Sequence, residues 1–134
     1  SLGSTTRKSE AMFHLEKAME LMRPDPAVIA RIYSEQGNIM RLEMEYEQAY
    51  ALYRKAWQAD TTDPMAIYYM ASIQDNSLHR SREAMADYSL FLRELDRMPA
   101  DALKKNRQFP SIREIVEDRI ELLREELFFR DSPE

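Results

Sequence analysis

Sliding the chain against itself by 34 residues brings two apolar segments into register. Tyr33 falls on Ile67, Gln36 on Met70, Gly37 on Ala71 and Ala30 on Pro64. A second pair superposes at an offset of 35, with Ala49 on Ala84, Tyr53 on Tyr88 and Ala56 on Phe91. One extra residue in the second inter-segment turn accounts for the change of offset. A unit of this length is too short to bury an apolar face by itself, so it gains a core by stacking on neighbouring units.

Within the units the periodicity is helical. Residues 7–22 place Ala11, Leu15, Ala18 and Met22 on one helix face. Pro24 stops that helix, and Asp25-Pro26 is a start signal: a carboxylate to cap free N–H groups and a proline in the first turn. A second helix runs to residue 42 through Ile29, Tyr33, Gly37 and Met40, and a third over 46–59 through Ala49, Tyr53, Ala56 and Trp57. Asp63-Pro64 repeats the start signal for a fourth helix carrying Ile67, Met70, Ala71 and Gln74, and Asp75-Asn76-Ser77 reads as the turn that ends it. The fifth covers 81–97 with Ala84, Tyr88, Phe91 and Leu95.

The expected layout is therefore a lone helix at 7–22, one repeat at 26–60, a second at 64–97 and a connector at 98–110 with one helical turn near 102–105. Ser111-Ile112-Arg113-Glu114 has the form of a capping box that opens a last helix over 111–130. That helix stacks Ile112, Val116, Ile120, Leu123 and Leu127 on one face, and Ile115, Leu122 and Phe129 widen the stripe towards a second contact. Residues 1–6, which include the cloning-remnant-like Ser1-Leu2-Gly3-Ser4, and the tail at 131–134 are left out of the fold. No stretch alternates with period two, so the chain is expected to be all-α, with about seven helices at most.

The paired pattern Tyr33-x-x-Gln36-Gly37-x-x-Met40 with Ala49-x-x-x-Tyr53-x-x-Ala56, and its copy Ile67-x-x-Met70-Ala71-x-x-Gln74 with Ala84-x-x-x-Tyr88-x-x-Phe91, resembles the tetratricopeptide repeat family. The resemblance covers residues 7–97, with the last helix similar to the extra helix that often closes such arrays. Gln36 stands where leucine is usual, and the second copy lacks the glycine. The resemblance implies antiparallel helix pairs stacked as a short right-handed solenoid, with peptides bound in a concave groove lined by the first helix of each pair. Carried over by register, the groove residues are Arg31, Ser34, Asn38 and Arg41, then Met65, Tyr68, Ser72 and Asp75. Asn38 matches one position of the clamp with which some members grip a chaperone's C-terminal carboxylate. Ser34 stands where that clamp needs lysine, so a chaperone-tail clamp is not expected.

The pattern also has a physical reading. Glycine within a helix costs about 0.8–1.0 kcal/mol relative to alanine, and close approach of a neighbouring helix at Gly37 would offset that cost. The first helix has the spacing of a second helix whose own partner is missing, which leaves two readings: an array cut from a longer protein, the one expected here, or an atypical N-terminal helix that serves as a cap.

Composition removes most other functions. With 24 acidic and 19 basic residues the net charge is -5, the wrong balance for a nucleic-acid surface, and Lys104-Lys105-Asn106-Arg107 is too short to supply one. There is no cysteine and only two histidines, His14 and His79, so neither a metal site nor a histidine-based catalytic pair has its raw material. No cofactor and no catalytic residue are expected, and no segment is suited to membrane insertion. The absence of cysteine suits the cytosol and the bacterial periplasm equally. Of the nine methionines, Met12, Met19, Met22, Met70 and Met85 read as core filler, whereas Met65, at the start of a helix beside Tyr68 and Tyr69, is less easily explained that way. The expected function is a non-catalytic module that docks a protein or peptide segment; the alternative is a structural or assembly element that mediates self-association or intramolecular packing through its repeat edges.

Overall fold

The computed structural model describes residues 7, 9–15, 17 and 25–131. Among them there are about seven helices and no strand, and no helix is long and apolar enough to cross a membrane. Residues 9–15 and 17 are helical, and Met12, Phe13 and Leu15 are exposed. Met12 is therefore not core filler, whereas Met70 is buried and Met85 packs against the core. Ala18, Met19 and Met22, like residues 1–6 and 132–134, lie outside the described residues.

The local signals act as capping chemistry requires. Helix α1 (Pro26–Leu42) starts where Asp25 Oδ1 accepts the Ala27 N–H at 2.8 Å, with Pro26 in a position that donates no helix hydrogen bond. It ends on Met44 in the left-handed region, φ 62°. The Met44 N–H bonds back to Arg41 O at 3.1 Å and the Glu45 N–H to Met40 O at 2.8 Å, a closure that glycine usually serves. Helix α2 covers Tyr46–Ala59. The Asp63 carboxylate then accepts the Met65 N–H at 3.0 Å and opens α3 (Met65–Ser72).

Asp75-Asn76-Ser77 is not the expected turn. The helix continues as a π-helical segment, Ile73–Ser77, closed by the Leu78 N–H on Ile73 O at 2.9 Å and the Arg80 N–H on Gln74 O at 2.7 Å. His79 then takes the left-handed conformation, φ 54°, 35 residues after Met44. The extra residue that changes the repeat offset from 34 to 35 is thus absorbed inside the helix as a widened turn. Helix α4 (Ser81–Arg97) follows, then the short α5 (Ala100–Lys105) within the connector, then α6 (Phe109–Asp131).

The last helix begins before the expected capping box. The Ile112 N–H bonds to Gln108 O at 3.0 Å and the Gln108 N–H to Asn106 Oδ1 at 3.0 Å, so Ser111 already lies within the helix. Pro110 marks the first turn here, a position where a missing N–H costs nothing, and not the end of the connector.

Successive helices run antiparallel. Tyr53 on α2 donates to Asn38 on α1 at 2.5 Å, and the Lys55 ammonium sits 5.9 Å from the Tyr33 ring. Arg113 at the start of α6 meets Asp96 at the end of α4 at 3.0 Å, while Arg82 at the start of α4 pairs with Asp131 at the end of α6. The second helices of the two repeats lie side by side in the same direction: Arg80 pairs with Glu47, and the Tyr50 hydroxyl donates to Asp87 at 3.4 Å. Burial raises the Asp87 carboxyl above the usual carboxylate range.

Two apolar clusters result. One joins Ala49 and Tyr53 to Met70 and Ile73; the other joins Ile67, Ala71, Ala84, Tyr88, Phe91 and Leu95 to Phe109, Val116, Ile120 and Leu123 of the last helix. Trp57 packs against both. In the first repeat, the buried Tyr53 ring fills the space a side chain at Gly37 would need: a Cβ there would stand 2.7 Å from Tyr53 Cε1. Gly37→Ala gains about 1 kcal/mol of helix propensity and loses about 1–3 kcal/mol to overpacking. The ring cannot retreat without breaking its bond to Asn38, so overpacking wins. Urea denaturation is expected to show a net loss of about 1 kcal/mol, where an exposed helix glycine would show a gain.

Candidate functional site

Two clefts run between the first helices of the two repeats and share Tyr69 as their partition. The first, about 330 Å³, is lined by Asn38 and Arg41 of α1, Tyr46 and Tyr53 of α2, and Tyr69, Ser72, Ile73, Asn76 and Ser77 of α3 and its π-helical end. The second, about 320 Å³, is lined by Ala27, Ala30, Arg31 and Ser34 of α1, Ala56 and Asp60 at the end of α2, and Asp63, Met65, Ala66, Tyr69 and Gln108. Along α1 the span from Arg31 to Arg41 is roughly 15 Å at 1.5 Å per residue, the length of four or so extended residues.

Six of the eight residues expected in a groove line these clefts: Arg31, Ser34 and Met65 in one, Asn38, Arg41 and Ser72 in the other. Two do not. Tyr68 is half-buried against the C-terminal core, its ring 5.9 Å from Phe91 and 6.4 Å from Tyr88. Asp75 is only 7 % exposed and is held by Arg119 of α6 through two hydrogen bonds, Nε to Oδ2 at 2.6 Å and Nη2 to Oδ1 at 2.7 Å. The Tyr88 hydroxyl donates to the same Oδ2 at 3.0 Å.

The π-helical turn explains the displacement of Asp75. At an offset of 34 it would take the place of the cleft-lining Arg41. Past the inserted residue the offset is 35, so Asp75 falls on the half-buried Met40 and Asn76 takes the place of Arg41. Arg41 and Asn76 both line the first cleft.

Electrostatics differ at the two ends. The first cleft holds one cation, Arg41, and no carboxylate in its lining, over a floor of three tyrosines. The second sets Arg31 among Asp60 and Asp63. Burial, and after it the nearby Asp63 carboxylate, raises the Tyr69 hydroxyl above the ordinary phenol range, so it stays protonated at neutral pH and can donate. Its ring stacks tilted on Tyr53 at 5.3 Å, which in turn is fixed by Asn38. Around the Asp75 pair, burial and then Asp75 itself push the Tyr88 hydroxyl well up, and the hydrogen bonds to Asp75 raise the Arg119 guanidinium.

Tyr69, Tyr46, Asn76 and Ser77 were not expected in the site. Tyr69 stands opposite Glu35 at the 34-residue offset, so register alone pointed to its neighbour Tyr68; Asn76 and Ser77 enter through the π-helical turn. Among the described residues no group of three or more His, Cys, Asp and Glu side chains is placed to hold a metal ion. Comparison with protein-family models, with curated proteins and with solved structures finds no match.

The buried pair has a measurable consequence. Removing one partner strands the other charge away from water, which costs about 3–5 kcal/mol in a fully buried pair. The Asp75 side chain is 3 % exposed and that of Arg119 33 %, so Arg119→Ala is expected to lose about 2–3 kcal/mol of unfolding free energy, discounted below that range for the partly exposed arginine. Arg82→Ala, which removes an exposed pair with Asp131, should lose less than about 1 kcal/mol. Chemical denaturation of the two variants side by side checks the contrast.

Proposed function

We propose that this chain is a non-catalytic helical-repeat module of the tetratricopeptide type that docks an extended peptide in the double cleft between its first helices. The observation that carries the reading is the pair of clefts that adjoin at Tyr69, on the helix faces where repeat register places a groove. Stacked helix pairs with antiparallel neighbours and parallel second helices support it, as does the small-to-large fit of Gly37 and Tyr53.

The lining suggests what the peptide carries. Arg41, without a competing carboxylate in its cleft, favours an acidic side chain, and the floor of Tyr46, Tyr53 and Tyr69 favours an apolar or aromatic one beside it. The hydroxyls and amides of Ser72, Asn76 and Ser77 can satisfy the backbone of an extended chain.

One observation favours assembly as a second reading. Ile32 and Ile39 on α1 are exposed, yet their counterparts one repeat later, Ala66 and Ile73, are buried. The outer face of α1 thus presents apolar positions that the next unit covers with a neighbouring helix.

Selection of a displayed peptide library on the wild-type protein, with the enriched peptides rebound to Arg41→Glu and Tyr69→Ala, tests the first reading. The expected result is a consensus pairing an acidic with an apolar residue, weakened about tenfold or more by each substitution. Peptides that bind both variants as well as wild type would place docking elsewhere. No enrichment, together with a concentration-dependent dimer in light scattering that Ile32→Glu abolishes, would select assembly.

A further inference from the structure

The last helix carries a second apolar stripe that the core does not use. Its buried face, Val116, Ile120, Leu123 and Leu127, packs against α4. Ile115, Leu122 and Phe129, seven residues apart, are 57 %, 52 % and 74 % exposed. At 100° per residue each step of seven drifts by only about 20°, so the three lie within about 40° of one another on the helix surface, a nearly straight ridge about 21 Å long at 1.5 Å per residue.

Its borders are acidic. Asp118 and Glu125 flank Leu122 at about 40° and 60° on one side, and Glu126 at about 40° on the other; all three are exposed. Arg119, the nearest cation, is engaged with Asp75. Arg113 is paired with Asp96 and Glu117, and Arg124 with Glu121; Arg130 stands about 80° from Leu122, on the Glu126 side. Glu126 shares its side of the ridge with Arg119, on which it acts electrostatically, whereas the Asp118 and Glu125 border has no cation of α6 beside it. That border matches a helix whose apolar stripe is flanked by lysine or arginine.

The same charges disfavour a second copy. Two such helices crossing antiparallel about Leu122 would set Asp118 of each against Glu125 of the other, like against like, which is destabilising. The footprint points the same way. A ridge about 21 Å long on a helix about 10 Å wide offers roughly 200 Å², well short of the roughly 800 Å² per partner of a standard interface between folded proteins. A single helix fits it.

We propose that the Ile115–Leu122–Phe129 ridge of α6 docks a basic amphipathic helix of a partner protein, at a site separate from the double cleft. The probes are a designed helical peptide of leucine and lysine, long enough to cover the ridge, and its counterpart with glutamate in place of lysine. Isothermal titration is expected to show the lysine peptide binding wild type at least about tenfold tighter than the glutamate peptide. Leu122→Asp should weaken the lysine peptide about thirtyfold, and the double substitution Asp118→Lys, Glu125→Lys should reverse the preference. Arg41→Glu, in the first cleft, should leave binding unchanged, so failure here and failure of the cleft reading are separable.

Equal binding of both peptides, absence of binding by either, or retention of the lysine peptide by Leu122→Asp would overturn the proposal. So would a wild-type dimer in light scattering that Leu122→Asp dissolves, because the occupant would then be a second copy. Should Leu122→Asp lose its helical circular dichroism, the charge-reversal variant, which touches no core residue, decides alone.

Discussion

The arginine–carboxylate pair between Arg119 and Asp75 is the contact on which the C-terminal half of the molecule depends. It joins three elements at one point: the π-helical end of α3, the Tyr88 hydroxyl of α4 and the middle of α6. A carboxylate this deeply buried is tolerable only because three hydrogen bonds reach its oxygens. The fork geometry of the guanidinium matters as well, since a lysine could offer its charge but not two parallel bonds. With Asp75 drawn inward, Asn76 and Ser77 are turned towards the first cleft. The shape of the candidate site is therefore tied to a contact outside it.

The rest of the stack is built from a complementary exchange of small and large residues. Gly37 receives the ring of Tyr53, and one unit later Ala71 lies in the same buried cluster as Tyr88. Surface ion pairs, Arg80 with Glu47 and Arg113 with Asp96, mark the direction of neighbouring helices but at exposed positions add little stability. The energetic weight lies in the two apolar clusters bridged by Trp57. This leaves the outer faces of the array, Ile32 and Ile39 at one end and Ile115, Leu122 and Phe129 at the other, as apolar surfaces without a neighbour among the described residues.

Helix periodicity, aspartate-proline starts and the repeat offset were sufficient to read α1, α2 and α4 with their bounds, because each depends on local capping and a single buried face. They were also sufficient for six cleft residues, since register fixes which face of a first helix looks outward. Asp75 was misread because of a contact distant in sequence. The step from 34 to 35 was visible in the sequence, but whether a chain absorbs one residue in a turn or as a π-helical bulge depends on what the displaced side chain meets. Asp75 meets Arg119, 44 residues away, and no local signal reports that. Tyr68 and Tyr69 are likewise adjacent tyrosines whose division between core and cleft is decided by α4 and α2. Pro110 misled in the other direction: a proline reads equally as the end of a loop or the first turn of a helix.

The claim that the buried pair holds the π-helical turn, and through it the first cleft, is open to direct measurement. Hydrogen exchange under native conditions, compared between wild type and Arg119→Met, reports on the amides of Leu78 and Arg80 that close the turn. Loss of protection at these two amides, with α1 and α2 keeping theirs, is the predicted result. Unchanged protection at Leu78 and Arg80 in a variant that has lost its guanidinium would contradict it, and the turn would then be a property of α3 alone.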